Sequence, residues 1–516
     1  MAESLARKSF FSTLINLVGA VIAYVGILTI SKYMGSSAVF TIGLIGFTSS
    51  YVGVYLPVSR LGFQTAHIKK VSEGADLGQC NGSFLLITAL LTGLMSLLVF
   101  GTIFFWIYVL GKGFESPLEV QGIWIMLAYT IISTLATVPA STFNARRETV
   151  KAQIGTFAGH IVRVIAIIFV VFSKLSPIDV IWTYLLGGVA STAVTFYYFR
   201  GYPVSKPSKE LIREYRKFAD PLLIPSLIGL LPTSLSVVLV ELFWHLSGAG
   251  QFYASYRIAS VFVVLGGSVT SVVFPRISEL HSMGKHLQIR ESTLTSEYFL
   301  SFVLAPLSLF MVFFPIGILH VILSNHFYGA ATPLAILAVW LYVTSISGPK
   351  NSVITGMNRP KISAWITIVS TLVSLAVMVV AIPVSIFGVP LLGMGPAGAA
   401  LGLLAGAVVL YAMSQYHSKK LADTHFDFSV VYFFIIAVIS DLMVMPLTLL
   451  IPLQQWRWYD AVFFALVSGA VYLVLCLLSR IASIEDLKVY IDALNPLAMH
   501  RYVSDELSSD FKGDRR

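Results

Sequence analysis

Long apolar runs dominate this sequence and restrict the folds open to it. Cut at breaks rich in charge, Gly, Pro or Asn, and asked for about 20 apolar residues each, the chain yields fourteen runs. They lie at 9–31, 38–68, 83–110, 120–142, 152–173, 178–199, 218–243, 251–274, 294–323, 329–348, 362–384, 393–415, 428–452 and 458–479. Hydrophobic residues make up 57% of the chain and charged residues 11%, well outside the range of a soluble domain. The expected fold class is an all-α integral membrane protein of about 14 transmembrane helices. Phe10 to Ile30, behind Arg7 and Lys8, is too long for a signal peptide and lacks a small-residue cleavage site, so it reads as the first span. The second run is long, and Pro57 is expected to bend it.

Basic loops stay on the cytoplasmic side. With the N-terminus inside, 27 of the 34 Lys and Arg fall in tails and inner loops, among them Arg146, Arg147, Lys209, Arg213, Arg216, Lys217, Lys350, Arg359 and Lys361. Lys32, Lys112, Lys174 and Arg457 fall outside, and Arg60, Arg163 and Arg257 lie within spans. Both termini are therefore expected in the cytoplasm, in the plasma membrane. The net charge of +9 is explained by orientation and anionic lipid headgroups, with no nucleic-acid partner. Cys80, in an expected inner loop, and Cys476, in a late helix, make neither a disulfide framework nor a metal site. His67, His160 and His245 are isolated, so no metal is expected. No Gly-rich phosphate loop with a Lys is present, and no cofactor is expected.

The chain also resembles itself. MGSSAVF (Met34–Phe40) resembles LSGAGQF (Leu246–Phe252), and FNARRETVKA (Phe143–Ala152) resembles TGMNRPKISA (Thr355–Ala364), both at an offset of 212. Between them IKKVSE (Ile68–Glu73) resembles FPRISE (Phe274–Glu279) at 206. Three matches in one order point to a duplication. Each repeat holds six helices, an even number, so the halves enter the membrane in the same sense: two parallel six-helix lobes around a central cavity, plus two extra C-terminal helices. The expected organisation is an N-terminal lobe at 1–200, an amphipathic cytoplasmic linker at 201–217, a C-terminal lobe at 218–416, helices 13 and 14 at 428–479, and a cytoplasmic tail at 480–516. In the tail, Ile484, Leu487, Ile491 and Leu494 are spaced for a surface helix ahead of a charged disordered end. Pro221, Pro225 and Pro232 permit bends in helix 7, and Gly398, Gly402 and Gly406 allow a close approach by helix 12. Gly and Pro are also simply common in transmembrane helices.

LGFQTAHIKKVSEG (Leu61–Gly74), the stretch from Phe252 onward in FYASYRIASVFVV, VVFPRISEL (Val272–Leu280) and TGMNRPKISAWITIVSTLVSLAVMVV (Thr355–Val380) resemble the corresponding segments of Wzx-type polysaccharide flippases. These belong to the multidrug/oligosaccharidyl-lipid/polysaccharide superfamily, with lipid II flippases and MATE drug exporters. The likeness covers residues 5–420 and, more loosely, helices 13 and 14; its specific part is the order of the motifs. It implies a transporter carrying a polyprenyl-phosphate- or pyrophosphate-linked oligosaccharide from the cytoplasmic to the outer leaflet by rocking two lobes, with cavity cations holding the anionic headgroup. It further implies a lipid-tail groove beside helices 13 and 14, which read equally as a lipid-facing buttress. The implied partners are that substrate, membrane lipids and glycan-assembly enzymes, with the chain itself a monomer.

An arginine inside a span costs at least about 2.5 kcal/mol, so it faces a partner or a watered cavity. Around Arg257, Tyr253 and Ser260 share a polar face. Its donor fork suits phosphate oxygens; alternatively it pairs with Glu241 across the hairpin of helices 7 and 8. Arg163 sits about 11 residues, some 16 Å, into its span with Thr156 and His160 on one face. It serves either the cavity or a hydrogen bond within its lobe. Arg60 lines the cavity if helix 2 runs on, and is a flanking charge if the helix stops at Ser59. Asp220, expected at the start of helix 7, complements the dipole there or takes part in coupling. Asp441, within helix 13, either titrates in ion coupling or stays neutral and hydrogen-bonded. The rival functions are a MATE-like ion-coupled exporter, whose cavity is expected to be acidic, and a membrane enzyme acting on lipid-linked glycans. The enzyme is disfavoured because every expected outer loop is short and none gathers carboxylates or histidines.

Overall fold

The computed structural model describes residues 18–482, apart from 20, 110, 112, 147, 221, 222 and 230. The chain is nearly all helix: α1 (Val21–Tyr33), α2 (Ser37–Tyr55), α3 (Phe63–Ser72), α4 (Leu77–Phe104), α5 (Pro117–Leu135), α6 (Thr137–Ala145), α7 (Thr149–Phe172) and α8 (Pro177–Phe199). Then follow α9 (Lys209–Ala219), α10 (Leu223–Ile228), α11 (Leu231–Ser282), α12 (His286–Phe313), α13 (Pro315–Ile322), α14 (Ala331–Gly356), α15 (Pro360–Ala381), α16 (Pro396–Ala422), α17 (Ser429–Val444) and α18 (Trp458–Leu478). A two-residue antiparallel pairing, Ser385–Ile386 with Val389–Pro390, closes the α15–α16 turn. Among the described residues twelve spans are long and apolar enough to cross a membrane, with α1 a shorter apolar helix. One span, Ser226–Val263, contains a break, because His245 adopts φ 63° and ψ 176° inside α11. The segments 231–244 and 246–282 are thus separate helices, and with the shorter α1 included the described residues hold fourteen apolar helices, the number expected from the apolar runs.

Several boundaries differ from expectation for local reasons. Helix 2 does not run to residue 68: α2 ends at Tyr55, Pro57 sits in a 3-10 turn (Leu56–Ser59), and α3 begins only after Leu61 and Gly62 take positive φ. Asp76 caps α4 by accepting from the Gln79 N–H at 2.7 Å, so the helix starts at Leu77 and draws Cys80 and Asn81 out of the expected loop. In the expected helix 7, α10 and α11 are separate pieces divided just before Pro232. Pro221 and the tail beyond Ala482 lie outside the described residues. α14 runs through Pro349 to Gly356 and carries Lys350 from an expected loop into a helix interior.

The chain clusters into two compact units. One holds Val52–Leu227 with the described residues before Gly35; the other holds Gly35–Tyr51 and Ile228–Ile481. In the first unit a cluster of Ala66, Phe84, Ile87, Val138 and Tyr215 joins α3, α4, α6 and α9. Beside it His67, fully buried and stacked on Phe84, is hydrogen-bonded to the Tyr215 hydroxyl at 3.1 Å and to Thr142 Oγ1 at 3.0 Å. Thr142 in turn donates to Asn81 Oδ1, so the His67 ring carries its proton on Nε2 and accepts from Tyr215. The amphipathic α9 is held by this chain and by the Ser208 cap.

Helices in a bilayer gain little from burying apolar surface against one another and rely on close packing. In the second unit a Cβ on Gly43 would stand 1.9 Å from the Leu246 carbonyl oxygen, and one on Gly250 would stand 2.1 Å from that of Val39. α2 and the start of 246–282 therefore touch backbone to backbone. The Gly398, Gly402 and Gly406 run does the same between α16 and α15, meeting Ala381, Met378 and Ser374. α17 and α18 pack on α12 through Phe433, Phe302 and Tyr472, whose hydroxyl donates to the Phe302 carbonyl at 3.0 Å. Asp441 lies fully buried at the α17–α18 contact and accepts from Ser468 Oγ, while Ser440 donates to the Ser468 carbonyl at 2.7 Å.

Candidate functional site

Arg257 lies three turns into the helix that follows the His245 break. Gly46 makes its setting possible: a Cβ there would meet the Tyr253 ring at 2.7 Å, so glycine lets the ring approach α2 closely. Tyr253 is buried, its ring faces the Arg257 guanidinium at 4.8 Å, and Arg257 Nη2 donates to the Tyr253 hydroxyl. The spacing of one helical turn places cation over ring. Arg257 itself remains exposed, and Ser260 Oγ donates to the Arg257 carbonyl at 3.0 Å. A permanently charged fork, on a residue that is itself exposed, is thus braced by a buried tyrosine. Glu241, buried on the preceding helix, belongs to the same unit.

Arg163 stands in a different setting. It lines a cavity of about 170 Å³ among α5, α6, α7 and α8 of the first unit, with Thr156 and His160 on the face the spacing predicts. Arg163 Nη2 donates to His160 Nδ1 at 3.0 Å, and its guanidinium lies 4.8 Å from the centre of the Tyr184 ring. Arg60 is exposed at the elbow after the 3-10 turn, its N–H bonded to the Pro57 carbonyl at 3.2 Å, one residue past the end of the span Ser37–Ser59. Helix 2 stops where Arg60 becomes a flanking charge. Asp220 does not begin helix 7: it caps the C-terminal end of α9, where Arg216 lies 3.9 Å away between two exposed side chains.

The sequence reading misses a buried polar centre in the second unit. Lys350 of α14 and Glu297 of α12, both fully buried, pair at 2.9 Å. The Tyr411 hydroxyl of α16 donates to Glu297 at 2.6 Å, and Lys350 Nζ donates to the His425 carbonyl ahead of α17 at 3.2 Å. Arg290 closes the same corner on Asp423 at 3.2 Å and on His425 Nδ1 at 2.9 Å. The available signal was Glu297 itself, an acid near the start of an apolar run. Glu148 lies between two spans; burial opposes its charge, but hydrogen bonds from Tyr202, Lys151 and Arg146 outweigh that and hold its carboxyl below the usual range.

Residues 41–332 match the model of a family described as polysaccharide biosynthesis protein. The probable low-salt glycan biosynthesis flippase Agl15 of Haloferax volcanii is 21% identical over 432 residues, covering 82% of this chain and 86% of the relative. Among solved structures, the lipid II flippase MurJ in an inward closed conformation matches with a TM-score of 0.68 at 14% identity, over 91% of this chain and 99% of that one. An inward-facing MATE-family multidrug resistance transporter of the MOP superfamily matches at 0.61 and 15%, over 80% and 96%. At these identities the structural likeness establishes the fold, a multi-pass helical membrane fold shared with those proteins.

Proposed function

The chain belongs to the polysaccharide biosynthesis protein family, and on that premise we propose that it is a flippase for a polyprenyl-(pyro)phosphate-linked oligosaccharide. The cargo moves from the cytoplasmic to the outer leaflet by alternating access of two lobes around a central cavity, with both termini of the protein in the cytoplasm of a plasma-membrane carrier. Chemistry on the substrate is not required, so the protein acts as a transporter and not as an enzyme. The similarity to Agl15 supports the cargo class.

The observation that carries the reading is Arg257, an exposed guanidinium on a membrane-crossing helix, steadied by a buried tyrosine. A braced arginine binds phosphate oxygens bidentately and loses less side-chain freedom in doing so. The test is equilibrium binding of a fluorescent polyprenyl-pyrophosphate-linked oligosaccharide to purified protein. A lost charge-assisted hydrogen bond is worth about 1.5–3 kcal/mol, so Arg257→Gln is expected to weaken binding by about 10- to 150-fold. Unchanged affinity overturns the headgroup role, and tight binding of organic cations in place of the lipid transfers the protein to the exporter class.

A further inference from the structure

The Arg163 cavity lies wholly within one unit, and its lining differs from what a structural arginine needs. No Asp or Glu is among the described residues that line it; the walls are hydroxyls of Tyr129, Ser133, Thr156 and Ser191, with His160 and the face of Tyr184. Arginine remains charged in proteins; Arg163 is partly buried, and a charge partly withdrawn from water gains from a counter-charge or a set of dipoles. The two neighbours that contact Arg163 here are neutral. His160 accepts from it through Nδ1 and so carries its ring proton on Nε2, and Tyr184 offers a ring. Helix packing keeps the compartment small. Cβ atoms on Gly155, Gly159, Gly187 and Gly188 would meet Thr195, the Gly187 carbonyl oxygen, the Gly159 carbonyl oxygen and Tyr129 at 2.0, 2.7, 2.8 and 2.5 Å, so α5, α7 and α8 lie against one another around it.

We infer that this cavity is a binding site for a small inorganic anion of the halide class, held by the Arg163 guanidinium and the surrounding hydroxyls. Its volume of about 170 Å³ is well above the roughly 10–15 Å³ that a single water needs. It admits a halide ion with part of its hydration shell. The site is separate from the headgroup reading at Arg257 and does not depend on it. A bound anion neutralises the one formal charge in the compartment and ties α5, α7 and α8 together, so occupancy is expected to stabilise the protein.

The test is thermal unfolding of the detergent-purified protein, with sodium chloride or bromide replacing sodium gluconate, an organic anion outside the halide class, at constant ionic strength. The expected result is a rise in Tm that saturates with chloride and bromide, is lost in Arg163→Gln and in the cavity-filling Thr156→Leu, and persists in Arg257→Gln. A rise that is absent in the wild type, or retained in Arg163→Gln, overturns the site. If neither cavity variant folds, anomalous diffraction from bromide-soaked wild-type crystals decides: bromide within hydrogen-bonding reach of Arg163 supports the assignment, and a bromide-free cavity refutes it. Stability and diffraction are read without transport, so failure here and failure of the flippase reading remain distinct.

Discussion

Lys350 and Glu297 would each be an expensive intrusion alone, and together they form a fixed centre between α12, α14 and α16. Removing one partner of a buried pair leaves the other charge uncompensated, at about 3–5 kcal/mol. Lys350→Met should therefore lower stability by that order in thermal or denaturant unfolding. The double variant Lys350→Met/Glu297→Gln should recover most of the loss; a double variant no better than the single one would show that the pair's charges are not what is at stake. His67 makes a pH prediction. It lies outside the candidate spans, and burial pushes its pKa down from 6.5 to about 4. As pH falls from about 6.5 towards 4, the unfolded chain takes up a proton that the folded chain does not, so stability declines through that window and is level above it. The decline should shrink in His67→Gln, measured by unfolding at stepped pH. At this scale the legible residues were those whose meaning is local. Arg257 with Tyr253 one turn away, and Arg163 with Thr156 and His160, needed only helical spacing. Lys350 needed a partner 53 positions earlier in the chain, which periodicity does not reveal.

The helices themselves were legible because hydrocarbon imposes a length on each of them. Their ends were less so, since ends depend on single residues: Asp76 starts α4 early, Gly62 restarts the chain after Pro57, and His245 alone divides α11. The amphipathic α9 likewise runs two residues beyond the expected linker and takes Asp220 as its C-cap. Glycines separate contact from mere tolerance. Gly43 has no room for a Cβ beside the Leu246 carbonyl, whereas Gly93 on α4 has nothing within 4 Å. Gly43→Ala should lower Tm and folded yield in size-exclusion chromatography, while Gly93→Ala should be neutral or stabilising by up to about 1 kcal/mol through helix propensity. Equal effects from the two would mean that the α2 crossing does not limit stability.

For the molecule as a whole, composition sufficed for an integral membrane protein and the order of degenerate motifs for its family, yet neither identifies the glycan. The stretches IKKVSE and FPRISE each close an i,i+3 ion pair near a helix end, Lys70 with Glu73 at 3.2 Å and Arg276 with Glu279 at 2.9 Å, a likeness consistent with duplicated halves. A carrier of this design need not hydrolyse anything; it needs a cation that grips an anionic headgroup in one state and releases it in the other, which is a differential affinity. The most direct measurement is translocation of a labelled polyprenyl-pyrophosphate-linked oligosaccharide in proteoliposomes, followed by its accessibility to an external glycosidase. The account predicts transfer between leaflets by the wild type and a loss of at least about tenfold in Arg257→Ala, the factor that 1.4 kcal/mol of lost headgroup binding produces. Wild-type vesicles that leave the lipid in its original leaflet, or an Arg257→Ala protein that moves it at the wild-type rate, would contradict it.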